Sequence, residues 1–211
     1  MGCLLAEQSV PWWRLLLLAA TVASVPGCAS TVTPSEEQRA RIRCVDVSEQ
    51  VTAPGEMFYL GAGSQFGLLG LPQALSQKGE IESLVLNNEI WIQDIVRDAI
   101  VDAISRENAF PLESEFGCDA TMSIEITHFG LQIPHGLTSN LKPVLDARGE
   151  IVDAAGILIW RDSASVGPLT DGMPARSHED IAHDPDLLRE MWSTAARHVA
   201  DSLVESMGAG S

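Results

Sequence analysis

Histidines and carboxylates cluster in one stretch of the C-terminal third, which reads His178-Glu179-Asp180-Ile181-Ala182-His183. Two histidines around a glutamate invite comparison with the HExxH motif, whose histidines at i and i+4 hold zinc from one helix face. Here they stand at i and i+5, about 140° apart on a helix, so they cannot share a metal in that way. The stretch is expected to lie in a loop, and we interpret it, with Asp184 and Asp186, as a solvated face and a helix cap. Weak binding of a divalent cation is the alternative.

Other motifs of catalysis and nucleotide binding do not occur in the sequence. It contains no GxSxG elbow, P-loop or EF-hand pattern, and no Cys or His spacing that suits zinc. His128 continues the apolar face of a strand and is predicted to be a hydrogen-bonded core residue. His135 is expected in a loop and His198 on a helix surface. Because no nucleophile stands beside a base, we predict no enzymatic activity, no metal site and no cofactor.

The charge balance narrows the choice of partners. The chain has 211 residues, 29 acidic against 13 basic, and a net charge of −16. Such a surface repels nucleic acid and anionic lipid headgroups, so no nucleic-acid partner is expected. With 45% hydrophobic and 20% charged residues, the composition is that of a globular protein.

An apolar run near the N-terminus, LLLLAATVASVPGC over residues 15–28, follows Arg14 and closes on small residues before a cysteine. This layout is typical of a secretory signal. Its helix would span roughly 18 Å, too short for about 30 Å of hydrocarbon. Val25, Gly27 and Cys28 resemble the lipobox of bacterial lipoproteins. The resemblance implies cleavage before Cys28, lipidation of its thiol and attachment to the bilayer. Ala29 in place of aspartate implies the outer membrane, with the protein facing the periplasm.

Four cysteines occur, at positions 3, 28, 44 and 118. If Cys3 leaves with the signal and Cys28 carries lipid, Cys44 and Cys118 remain as one pair in an oxidising compartment. We predict a disulfide between them, with two unpaired buried thiols as the alternative. The bond would place the first strand beside the entry to the later strands.

A glycine-rich stretch, residues 61–72, is unusually apolar for a loop because it carries Phe66, Leu68, Leu69 and Leu71. Its glycines do not fit the GxGxxG spacing of a dinucleotide site. One interpretation is a loop packed on the domain. The other, which makes these four residues a candidate site, is a loop that contacts the membrane or a partner.

Hydrophobic periodicity predicts the remaining elements. Short strands are expected at 42–47 and 57–60, a helix at 88–106 capped by Asn87 or Asn88, and a last helix after Asp184 and Pro185. From Thr121 onward apolar and polar residues alternate over two strands, with a bulge near Gly130 to explain a change of phase, and the continuous apolar run at 157–160 predicts a third strand. The three are expected to form an antiparallel meander. We assign residues 1–27 to the signal, 28–41 to the lipidated cysteine and a flexible tether, 42–207 to one domain and 208–211 to a tail.

Two helices with one apolar stripe each can cover one face of a small sheet, which predicts a two-layer α+β domain with a mostly antiparallel sheet. The layout resembles small envelope lipoproteins, such as the auxiliary lipoprotein of ABC-type transport systems, the lipoprotein of lipopolysaccharide assembly and the N-terminal domain of the TolB type. The resemblance implies a non-enzymatic periplasmic module that binds an envelope partner. The alternatives are an anchored hydrolase and a metal or small-molecule carrier using the acidic stretch 178–186.

Overall fold

The computed structural model describes residues 31–61, 71–112, 117–134 and 139–208. Within these ranges, no helix is both long enough and apolar enough to cross a bilayer. Cys28, Phe66, Leu68, Leu69 and His135 lie outside the described residues.

A five-stranded sheet forms the framework, with the strands β1 (Val45–Thr52), β2 (Phe58–Leu60), β3 (Ala120–Gln132), β4 (Lys142–Asp153) and β5 (Leu158–Val166). The order is β1-β3-β4-β5, and β2 also pairs with β3. The predicted antiparallel meander is confirmed as β3-β4-β5. The first strand, expected at 42–47, begins later and is longer, and both β1 and β2 pair in parallel with β3, which requires a crossover connection.

Apolar and polar residues alternate along β3 because one face of the strand is buried and the other is exposed, as predicted. Met122, Ile124 and Ile126 are buried, while the residues between them are exposed. The register shifts between Ile126 and His128, which is the predicted bulge, a few residues before Gly130. Because of the shift, His128 is not the expected core residue: it is partly exposed and lies 3.5 Å from Asp146.

Two long helices cover one face of the sheet, α3 (Ile92–Glu107) and α5 (Pro185–Gly208). Their stripes pack against each other and against the inward side chains of the strands, with Trp160 and Trp192 among the largest buried residues. The other face carries exposed polar side chains such as Thr121, Ser123 and Glu125. The predicted two-layer α+β architecture is therefore confirmed.

Three further helices were not predicted, namely α1 (Glu36–Arg41), α2 (Leu71–Asn87) and α4 (His178–His183). The sequence of α2 has no continuous apolar stripe, and only Ala74 and Ile81 are buried. Leu71, expected in a loop, is its first residue. The start of α3 was also placed too early: its N-cap is Trp91, which makes no side-chain cap. For α5 the expected cap is correct, since Asp184 accepts a hydrogen bond from the Asp186 amide.

The N-terminal segment is not a flexible tether from residue 31 onward. Val32 forms an antiparallel bridge with Arg161, on the free edge of β5. Ser35 and Gln38 close a capping box that starts α1, and Arg39 donates to the carbonyl of Met207 at the end of α5. The prediction of a flexible tether was wrong for residues 31–41, because a polar composition does not reveal the capping box or the contacts with β5 and α5.

Candidate functional site

An open groove of about 470 Å³ separates α2 from the body of the protein. We call it the α2 groove. Most of its lining comes from the β1–β2 connection, from the C-terminal half of α2 and from the link that joins α2 to α3. Its lining includes Ala53, Pro54, Gly55, Glu56, Met57, Lys78, Glu82, Val85, Leu86, Ile90, Trp91, Ile92, Gln93, Phe129 and Trp192. Most of these residues are apolar, and a volume of this size suits a bound side chain or small molecule.

Large apolar side chains stand exposed at one part of the groove. Leu86, near the end of α2, is 62% exposed, and Trp91, just before α3, is 43% exposed. An exposed tryptophan close to a leucine in a concave surface is typical of a binding site, because aromatic residues dominate binding energies at interfaces.

The groove also carries charge. Lys78 lies 3.0 Å from Glu56 and 3.3 Å from Glu82, and it joins α2 to the β1–β2 connection. The hydrogen bond to Glu56, with Glu82 adding to it, raises the pKa of Lys78 above its ordinary value. Two carboxylates thus surround one ammonium group, which leaves the groove with net negative charge. Glu56 is 85% exposed along its side chain, so that a cation from outside can reach it.

The helix that forms one wall is thinly packed. A second cavity, of about 540 Å³, lies on its α4 side and is lined by Ser76, Gly79, Glu80 and Ser83 among others. Only Ala74 and Ile81 of α2 are buried, with Leu84 and Val85 partly buried against the core, so polar contacts also contribute to its attachment.

The main polar contact is a chain of three side chains. Tyr59 of β2 has its hydroxyl 3.1 Å from Nδ1 of His178, and Nε2 of His178 lies 2.8 Å from Glu80 of α2. The same hydroxyl donates to Gln77 of α2 over 3.3 Å. His178 is only 17% exposed, and the chain borders a cavity of about 210 Å³. Three elements are therefore held together at one point.

The surroundings of the Tyr59 hydroxyl favour its neutral form. Burial, with the Glu80 carboxylate nearby, raises the pKa of the Tyr59 hydroxyl well above its usual range. A raised pKa keeps the phenol neutral, whereas an activated nucleophile needs a lowered one. The arrangement suits a fixed hydrogen-bond network that positions α2.

The acidic stretch 178–186 is not the loop that was expected, although Glu179, Asp180, His183, Asp184 and Asp186 are exposed, as expected of a solvated face. His178–His183 forms α4, whose capping box joins Ser177 and Asp180, and His178 is largely buried. His183 bonds to the Glu179 carbonyl, away from His178. No group of three His, Cys, Asp or Glu residues in the described ranges could hold a metal ion. His198 is exposed on α5, as predicted.

The predicted disulfide between Cys44 and Cys118 is present, with Cα atoms 4.9 Å apart. It brings the start of β1 beside the entry to β3, where Val45 pairs with Ala120. Asp119 reinforces this junction, since its carboxylate accepts from the amides of Arg43 and Cys44 and from the Arg43 guanidinium.

Sequence reasoning missed Tyr59, Leu86, Trp91 and Glu56. Tyr59 is the only tyrosine of the chain, and Trp91 directly precedes the helix stripe. Both are visible as unusual residues, but neither position reveals its partners.

Acid should weaken the junction at Asp119. The hydrogen bond from Arg43 is the main cause that lowers the pKa of Asp119 below its ordinary 3.8. A carboxyl with a lower pKa in the folded state stabilises fully above the unfolded value, and the contribution disappears as pH falls through the folded value. Asp119→Asn should therefore have a lower free energy of unfolding than the native chain at pH 7. Between pH 7 and pH 3 it should lose less of that free energy than the native chain does, as measured by urea unfolding. Asp98→Asn, at an exposed aspartate, is the control; equal acid sensitivity of the Asp119→Asn and native chains would contradict the assignment.

No protein-family description matches the chain, and no curated protein matches it. Several solved structures are similar to the chain, among them three at low sequence identity. A Xanthomonas campestris protein of the DUF330 family is 12% identical with a TM-score of 0.43, covering 82% of this chain and 88% of its own. A dodecameric PelC variant from Paraburkholderia phytofirmans is 11% identical with a TM-score of 0.36, over 78% and 86%. A candidate lipoprotein from Caulobacter crescentus is 12% identical with a TM-score of 0.34, over 57% and 85%. None of the three is named for ABC-type transport or lipopolysaccharide assembly, so they do not support that part of the resemblance.

Proposed function

We propose that this chain is a non-enzymatic, lipid-anchored module of the bacterial envelope that binds an envelope protein through the α2 groove. The signal and Cys28 support the location. The observation that carries the binding role is the exposed pair Leu86 and Trp91 in a concave, mostly apolar surface. A soluble surface has no structural need for such a pair, because both side chains would gain by burial against a partner.

The charges of the groove specify the partner segment. An apolar side chain would fill the space between Leu86 and Trp91, and a neighbouring lysine or arginine would lie against Glu56. A basic segment is favoured because the groove is negative and the whole chain carries −16. We therefore propose a partner segment with one large apolar residue next to a basic residue.

Site-specific crosslinking tests the proposal. A photoreactive phenylalanine analogue at Leu86 should give a defined adduct with one envelope protein in intact cells. Ile157, equally apolar and 56% exposed on the β4–β5 hairpin, is the matched control position and should give none. Adding Trp91→Ala should reduce the adduct at least about tenfold, since a central tryptophan typically contributes 2 kcal/mol or more. Adding Glu56→Gln should reduce it by a smaller factor.

Two outcomes would contradict the proposal. One is the same adduct from positions 86 and 157, which would indicate unspecific contact. The other is an adduct from position 86 that persists in both Trp91→Ala and Glu56→Gln, which would mean that the groove does not select its partner.

A further inference from the structure

The contacts of Thr31 and Val32 with β5 limit the orientations that the domain can take on a membrane. Thr31 donates to Asp162 and Val32 bridges Arg161, so the chain is fixed to β5 from residue 31. Only Ala29 and Ser30 separate Thr31 from Cys28. Three Cα–Cα steps reach at most about 11 Å. A lipid on Cys28 would therefore hold this part of β5 close to the bilayer.

The bridge also gives the direction of approach. Because Val32 pairs antiparallel with Arg161, and Thr31 contacts Asp162, the described chain has its N-terminal end, Thr31, on the side of Val32 that faces the Val166 end of β5. The end of β3 at Gln132 and the start of β4 at Lys142 lie at this same end of the sheet. We call it the anchor end. The hairpin with Ile157 lies at the opposite end.

Exposed leucines are found at the anchor end. Leu169 follows β5 within three residues and is 75% exposed. The first half of α2 is here too, since Gln77 bonds to Tyr59 and shares a cavity with Ile133 and Leu141, which adjoin the ends of β3 and β4. Leu71 and Leu75, one helical turn apart at the start of α2, are also exposed.

We infer that the anchor end rests on the bilayer surface, with Leu169 and the leucines of the first turns of α2 in the lipid interface. The inference rests on the proposed lipid anchor. Three leucines bury too little area to hold a protein on a membrane alone, but they orient one that an acyl anchor already holds. Asp171, two residues beyond Leu169, keeps that turn at headgroup depth because a carboxylate does not enter hydrocarbon.

The orientation explains how membrane attachment and partner binding can coexist. β5, which receives the anchor, is one edge of the sheet, and β1 lies at the other edge. The α2 groove includes the connection that follows β1, so a partner can approach it from the side of the domain away from the anchor.

The test uses the full, acylated chain in phosphatidylcholine nanodiscs with brominated or ordinary acyl chains. A tryptophan introduced by Leu169→Trp should have its added fluorescence quenched by brominated lipid, since the ring would sit roughly 5–10 Å inside the interface. Ile157→Trp, at the opposite end, is the matched control and should give unquenched added fluorescence. Both positions are exposed, so neither change should disturb folding. Quenching at 169 should persist in high salt, because the contact is apolar.

The orientation is wrong if a chain shown by mass spectrometry to be acylated at Cys28 gives equal quenching at both positions or none at either. That result would not affect the proposed anchor or the proposed binding groove. A chain of unmodified mass that does not bind nanodiscs would overturn the anchor and this inference together. The supporting result is quenching by brominated lipid at position 169 and not at position 157, seen only when the chain is acylated.

Discussion

Replacing Cys44 and Cys118 together with alanine is expected to lower the free energy of unfolding by about 4 kcal/mol. The two residues are 74 positions apart, and opening so long a loop increases the entropy of the unfolded chain by about this amount in the simple chain model. For a chain of this size the melting temperature should fall by roughly 8–16 °C.

The measurement is urea unfolding of the mature protein, with and without a reducing agent. The reduced native chain is the control, because it should show the same loss while keeping both sulfur atoms. The alanine variant should not respond to reduction. If both thiols of the exported native protein react fully with an alkylating reagent before reduction, the bond does not form in the envelope and the prediction is wrong.

Gly130→Ala is expected to destabilise the protein by about 3 kcal/mol, at the upper end of the usual cost of overpacking. A Cβ atom at this position would lie 1.8 Å from the carbonyl oxygen of Phe58, so the backbones of β2 and β3 must separate. Separation would weaken the pairing of residues 58–60 with residues 130–132 and displace Tyr59 from His178. The effect should therefore reach α2 through the Tyr59 contacts.

Hydrogen exchange locates this effect, and chemical unfolding measures its size. Relative to the native protein, Gly130→Ala should accelerate amide exchange in β2 and α2 more than in α3. Gly55→Ala is the matched control, since nothing lies within 4 Å of a Cβ added there, and it should change stability little. Unchanged exchange at β2 in the Gly130→Ala protein would show that the strand pairing tolerates a side chain, contrary to this structure.

Much of the fold could be predicted from local patterns in the sequence. The alternation of Met122, Ile124 and Ile126 and the stripes of α3 and α5 report burial directly, because each period matches one side of a strand or helix. The disulfide followed from counting cysteines once the signal was recognised, and the parallel entry of β1 beside β3 agrees with it.

Tertiary structure alone decided the site. Helix α2 was not predicted because only two of its residues are buried, which leaves no apolar stripe in the sequence. His178 looked like part of an acidic loop, but its ring is held by Glu80, 98 residues earlier, and by Tyr59, 119 residues earlier. Leu86 and Trp91 are close in sequence, but Glu56 and the β1–β2 connection line the same groove only because of the tertiary fold. Periodicity records which side of an element is buried, whereas a binding surface depends on which elements become neighbours, and that is set by packing over the whole chain.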